Sequence, residues 1–366
     1  MLVHRVVMPV TEALSWTVLA DDGEPVEPVE SYLAHLAALE RSPETVRAYA
    51  FGLKAYFEFL AAHDVVWDQA SVEDVGRFVA WLRAPASNVV VLDGGTARRA
   101  PATVNRYLAA VFGFYDHHAR SGVGLGSQLV VWRRSNRGGY KPFLNHIGKP
   151  RAVPTRPIGL VVPARSPRTL RPEDVAAILA ACDRLRDRLL IAMLAETGMR
   201  VGQALGLRHS DIMSRQLEIR IVPRVDNANG ARAKTRSIAT IPISAPLARL
   251  YSTYMLDEYG ELDSDYVFVN LWSSPVGRPL HYQAVHKLVG RLRRRSGVDF
   301  TLHMLRHTHA TALIRAGVPI EVVARLLTHR SSTTTSSTYV HLDAADIRAA
   351  LADAGVFPPT DKETTR

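Results

Sequence analysis

The chain has 366 residues, 47% of them hydrophobic, with a formal net charge of +10 and a pI near 9.9. That length allows two domains with large cores, and the positive balance favours a polyanion, nucleic acid first, because Lys and Arg neutralise phosphate. One cysteine, Cys182 in the apolar run DVAAILAAC, excludes an intramolecular disulfide and a cysteine-based metal cluster and reads as a small core residue.

Residues 1–28 read as a leader of two short apolar pieces followed by DDGEPVEP. The opening MLVHRVVMPVTEALSW lacks the charged start and sustained apolar core of a signal peptide. No apolar run in the chain approaches the ~20 residues of a membrane span, so a cytoplasmic protein with no membrane partner is expected.

Residues 29–121 read as a bundle of about four helices. Ser42-Pro43 supplies an N-cap and a first-turn proline, and Tyr49, Leu53, Tyr56, Phe57 and Leu60 follow at helical spacing. Ser71 precedes VEDVGRFVAWLR, with acids in the first turn, and Pro101 opens ATVNRYLAAVFGFYDHHAR.

Residues 122–168 read as a linker rich in Gly, Pro and Arg. Between 126 and 172 stand ten Lys or Arg and no Asp or Glu, as many as the whole net excess of +10. So one-sided a block repels itself unless it faces an anion, which makes Arg133, Arg134, Arg137 and Lys141 candidate phosphate contacts. A linker this long is expected to be functional.

A second domain is expected over 169–354, with a polar tail at 355–366. Arg171-Pro172-Glu173-Asp174 starts a helix, and DRLRDRLLIAMLAETG is a core helix stopped by Gly198. Residues 217–222 and 237–243 read as strands, with Asp226–Gly230 as turn material between them. Helices follow over 281–295, 303–316, 319–328 and 343–353. The fold class is mainly α with a small antiparallel sheet (α+β).

Six residues in this half suit phosphodiester chemistry: Arg200, Lys234, His303, Arg306, His329 and Tyr339. An arginine just past Gly198 presents a planar fork that fits two phosphate oxygens. His303 and Arg306, three apart, share a helix face, read as exposed, with Leu302, Leu305, Leu313 and Ile314 serving the buried side. His303 and His307 are also four apart, a zinc-like spacing, but no Glu lies between them and no cluster completes a site, so His307 reads as a structural hydrogen-bonder. Taken singly, SSTTTSST is a solvated loop and Tyr339 an ordinary packed tyrosine; the ordered set argues otherwise.

That ordered set resembles the signature of the tyrosine recombinases, the phage-integrase family: T-G-x-R, a hairpin lysine, H-x-L-R-H, then G-H and a tyrosine. The resemblance spans about 169–350 as catalytic domain, and 29–121 is similar to the family's SAM-like core-binding domain, the two forming a C-shaped clamp on DNA. It implies that Arg200 and Arg306 clamp the scissile phosphate, Tyr339 attacks it, Lys234 protonates the leaving 5′-oxygen, and His303 and His329 complete the basic site. The product would be a 3′-phosphotyrosyl link, reversible without ATP, cofactor or metal, since the cationic side chains supply the charge neutralisation. The implied partner is double-stranded DNA, bound by a homo-tetramer on paired recombination sites and by a chain that is monomeric when free.

The chain departs from that spelling. Gln203 stands where the family often has Glu, Thr328 where it has Gly, and Tyr339 lies ten residues after His329 rather than nine. His309 occupies a helix position that usually carries an apolar aromatic and reads as a core histidine. A type IB topoisomerase and a non-catalytic DNA-binding protein are the alternatives; the bundle, the H-x-L-R-H spelling and the complete residue set favour strand exchange.

Overall fold

The two apolar pieces read as a leader pair with each other: β1 (Leu2–Val7) runs antiparallel to β2 (Leu14–Leu19), with Leu2 opposite Leu19 and Val7 opposite Leu14. Val18 is fully buried, and Ser15 and Thr17 are buried beside it, so β2 is part of the first core. These observations come from a computed structural model that describes residues 1–7, 14–84, 99–129, 131–134, 152–156, 158–162, 167–233 and 237–328. The chain divides into two compact units, Met1–Ala164 and Arg165–Arg366.

In the first unit β2 packs on α1 (Glu27–Ala38) and α2 (Pro43–Ala62), and α2 packs on α4 (Pro101–His118). Local chemistry starts these helices where the sequence places them. Ser42 accepts from the Thr45 N–H, and Ser71 and Asp74 form a capping box at α3 (Val72–Arg83). The core is aromatic: Tyr56, Phe59, Phe78, Phe114 and Tyr115 are all fully buried. Their polar ends are satisfied internally, because Tyr115 donates to the Trp67 carbonyl (2.7 Å) and Tyr56 therefore donates to the Tyr115 oxygen (2.9 Å).

Part of the stretch read as a linker is structured in this unit. Helix α5 (Leu125–Gln128) sinks Leu125 into the bundle core with Leu129, and β3 (Val131–Arg134) pairs antiparallel with β4 (Ala152–Thr155). Asn105 clasps the Leu160 backbone from both sides, accepting its N–H and donating to its carbonyl, each at 2.8 Å.

The second unit is built around α7 (Leu185–Thr197), which buries Leu189, Leu190, Ile191, Met193 and Leu194. Around it lie α6 (Pro172–Ala180), α8 (Val201–Leu205), α9 (Ala245–Tyr254) and α11 (Leu302–Arg315), while α10 (Tyr282–Ser296) packs on α6. A three-stranded antiparallel sheet, β5 (Ile212–Met213), β6 (Glu218–Ile221) and β7 (Ala239–Pro242), flanks the helices, and α12 (Ile320–Leu326) follows α11. Both ends of α7 are held by carboxylates. Glu258, on a π-turn that continues α9, accepts the Leu185 and Arg186 N–H groups (2.9 Å each), and Glu196 accepts from the Ser244 N–H and hydroxyl at the start of α9.

Cys182 is a buried member of this core, and burial pushes its thiol up to about 11. The architecture is the helix-dominated α+β class expected, with small antiparallel sheets. Among the described residues no helix is long and apolar enough to cross a membrane. The segment expected as a helix over 343–353 lies outside the described residues.

Candidate active site

Three segments of the second unit converge on one place: the turn 197–203, the first turns of α11, and the end of α12 at 326–328. Thr197 closes α7 by donating to the Met193 carbonyl (2.6 Å) and accepting from the Met199 N–H (3.3 Å). Gly198 then takes the left-handed conformation, φ +62°. A side chain there would be strained by that φ, and a Cβ would sit 2.7 Å from His309 and 2.9 Å from Leu327. The glycine thus lets α11 and α12 close on the turn, and Arg200 follows as the residue preceding α8.

Arg306 is the centre of the arrangement. The spacing in the sequence suggests an exposed helix face; Arg306 is instead 2% exposed and among the largest fully buried side chains of the described residues. Its Nη1 donates to the Gly198 carbonyl (2.7 Å) and its Nη2 to the Leu327 carbonyl (2.6 Å). Those two acceptors belong to helix ends, whose last carbonyls lack intrahelical partners and carry partial negative charge. A buried guanidinium is costly unless its N–H groups are engaged, so these bonds both lower that cost and fix the plane of the fork.

His303, one turn earlier on α11, keeps exposed surface, as its expected role requires. The protein packed around its ring, then the positive charges of Arg306 and Arg200, hold it below the ordinary imidazole value. That favours the neutral form, the one with a ring nitrogen free to accept a proton. His307 packs edge-on against His303 (centroids 4.5 Å apart) and is pushed down to about 4 by burial, then His303 and Arg306. His309, read as a core histidine, is half-buried against Gly198 and is also pushed down to about 4, by burial and then Arg306.

The loop that leads to Lys234 is anchored rather than loose. Asn229 is buried, donates to the carbonyls of Leu205 (3.0 Å) and Leu280 (2.9 Å), and accepts the Ala231 N–H (3.0 Å). Gly202 in α8 makes room for it: a Cβ there would meet the Arg232 carbonyl at 2.6 Å. Asp211, fully buried, holds the neighbouring Arg224 through two bonds of 2.7 and 2.9 Å. In the sequence Asn229 looks like the rest of the 226–230 turn, because two asparagines, Asn227 and Asn229, in a polar turn carry no signal that one is interior.

Of the six expected residues, Arg200, His303 and Arg306 are brought together. Lys234, His329 and Tyr339 lie outside the described residues. Of the four candidate DNA contacts, Arg133 and Arg134 are in β3, and Arg137 and Lys141 lie outside the described residues.

Two polar side chains hold Arg200. Gln203, 2% exposed, accepts the Arg200 N–H on Oε1 (2.7 Å) and donates from Nε2 to the Thr328 hydroxyl (2.9 Å). That hydroxyl also accepts from Arg200 Nη1 (3.3 Å). Thr328 does this at φ +52°, a left-handed conformation that costs a β-branched residue roughly 1–3 kcal/mol.

The phage integrase family model matches residues 168–346, and the N-terminal SAM-like domain model of phage integrases matches 29–122. Transposase A from transposon Tn554 of Staphylococcus aureus is 39% identical over 325 residues, covering 88% of this chain and 89% of that protein. The chain belongs to the phage integrase family, the tyrosine recombinases. Tyrosine recombinase XerC of Roseiflexus castenholzii is 27% identical over 329 residues, 87% of this chain and 89% of that one. The Tn1549 transposon integrase in complex with transposon right-end DNA shares the fold, with a TM-score of 0.60 at 15% identity over 90% of this chain and 99% of that one.

Proposed function

We propose that this tyrosine recombinase is a DNA strand-exchange enzyme that cuts and rejoins double-stranded DNA through a 3′-phosphotyrosyl intermediate. The observation that carries the reading is the convergence of Arg200, His303 and Arg306, with the Arg306 fork fixed by two backbone carbonyls. Preoriented cations of this kind stabilise charge as it builds on non-bridging phosphate oxygens, with no reorganisation during the reaction. Arg200 and Arg306 hold the scissile phosphate, His303 manages a proton, and His329 completes the cluster. Tyr339 attacks, and Lys234 protonates the departing 5′-oxygen.

In this reading residues 29–121 are the core-binding domain, 169–354 the catalytic domain and 355–366 a polar tail. The basic stretch 122–168, with Arg133, Arg134, Arg137 and Lys141, lies along phosphates. The working form is a homo-tetramer on paired sites, monomeric when free, acting on cytoplasmic DNA. The relatives named above are a transposase and a recombinase, which supports mobilisation or site-specific recombination as the outcome.

A nicked duplex that releases its short 5′-hydroxyl strand traps the intermediate. The expected result is a denaturant-resistant protein–DNA adduct that Tyr339→Phe abolishes. An adduct that persists in Tyr339→Phe removes that residue as nucleophile, and its absence from the unaltered protein across recombination-site DNA overturns the enzymatic reading.

A further inference from the structure

Two of the chain's departures from the family spelling, Gln203 for Glu and Thr328 for Gly, are 125 positions apart in sequence and in direct contact in the fold (2.9 Å). The chemistry of the contact is directional. A backbone N–H can only donate, so the carbonyl end of the Gln203 amide must face Arg200 and the NH2 end must face Thr328. That NH2 belongs to a side chain only 2% exposed and therefore requires a protein acceptor. With glycine at 328 the Thr328 oxygen would be gone. With glutamate at 203 there would be no NH2 to satisfy, and glycine could occupy the left-handed position without strain.

We infer that Gln203 and Thr328 are a matched pair of positioning residues that hold the Arg200 guanidinium for phosphate. This rests on the strand-exchange reading of the site. Arg200 is fastened at two points by the pair: its N–H to Gln203 (2.7 Å) and its Nη1 to Thr328 (3.3 Å). The amide closes the ring between them, so backbone and side chain of the same arginine are tied to one another. A carboxylate at 203 would instead place a negative charge beside the guanidinium. The pair does the fastening with neutral groups and leaves the positive charge of Arg200 uncompensated by residue 203. The strained φ of Thr328 is explained by the same account, because only a side chain with an oxygen can serve here.

The test is a double-mutant cycle in the full-length protein on the nicked duplex, reading single-turnover cleavage at saturating DNA and DNA affinity separately. Thr328→Gly is expected to slow cleavage about tenfold when Gln203 is present and less than about threefold in a Gln203→Glu background, with affinity nearly constant in both. Thr328→Ser keeps the oxygen and is expected to retain most of the rate, whereas Thr328→Val loses about as much as glycine does. Equal costs of Thr328→Gly in both backgrounds, or a Val variant as fast as Ser, overturn the pairing while leaving strand exchange intact. Failure of the unaltered protein to form an adduct would instead remove the reading on which the pairing rests. Glycine relieves the backbone strain at 328 but leaves the buried Gln203 NH2 without its acceptor, so thermal melts of each variant separate lost stability from lost cleavage.

Discussion

The two units fill their interiors differently. The first is closed by aromatic rings, Tyr56, Phe59, Phe78, Phe114 and Tyr115, whose two hydroxyls serve each other and the Trp67 carbonyl. The second also has a large apolar core, but its biggest fully buried side chain is a charged one, Arg306, set where α7, α11 and α12 meet. Apolar burial is sufficient reason for the first arrangement. Burying a guanidinium is not favourable in itself, so the second interior is shaped by what that charge does. Substitutions should therefore separate: in the bundle they act on stability, and at the Arg306 junction they act on chemistry.

The sharpest way to break that distinction is Arg306→Ala. It should lower single-turnover cleavage by roughly 10²–10³-fold at saturating DNA, the range seen when one preorganised donor is removed; a variant that merely melts earlier and still cleaves would make Arg306 a structural residue. The converse test is Phe59→Ala in the bundle, expected to cost about 3–5 kcal/mol through reduced burial and a residual cavity. Urea titration reads that destabilisation, and cleavage below the transition should stay near the unaltered rate.

Charge removal in the basic stretch sharpens the comparison at a smaller scale. Neutralising Arg133, Arg134 and Arg137 together should weaken DNA binding and flatten the log–log salt dependence by about 0.9 for each phosphate that is no longer neutralised. Fluorescence anisotropy across a salt series measures it, and an unchanged slope would mean that these charges do not face DNA.

The smallest expected effect concerns pH. His307 and His309 are held neutral in the folded protein, both pushed down to about 4. In the unfolded chain an imidazole titrates near ~6.5, so between about 4 and ~6.5 the unfolded state binds more protons. Their contribution is therefore fully present above ~6.5 and is lost as pH falls toward 4. The melting temperature should decline across that window, and His309→Phe should shallow the decline measurably.

Much of the bundle was legible because its signals are local. Ser42-Pro43, Ser71 and Pro101 mark helix starts within a few residues, and the helices begin there. The β1–β2 hairpin was not legible, since two six-residue pieces with buried Ser15 and Thr17 show no alternation and pair only through their tertiary setting. Helix α9 was missed although Ser244 caps it; its tie to Glu196 is a long-range fact. At the site, T-G-M-R and H-M-L-R could be read because three-residue spacings fix shared faces. Which face is interior could not, because the carbonyls that receive Arg306 come from residues 108 and 21 positions away. Gln203 and Thr328 were each visible as departures, but their contact is a property of the fold alone.

The central claim is that these converging residues serve phosphotyrosine chemistry. Its most direct measurement is mass-spectrometric mapping of the adduct trapped on a nicked duplex, after digestion of both protein and DNA. The account predicts a nucleotide joined through its 3′-phosphate to the peptide carrying Tyr339. Attachment to another residue, or through a 5′-phosphate, would contradict it.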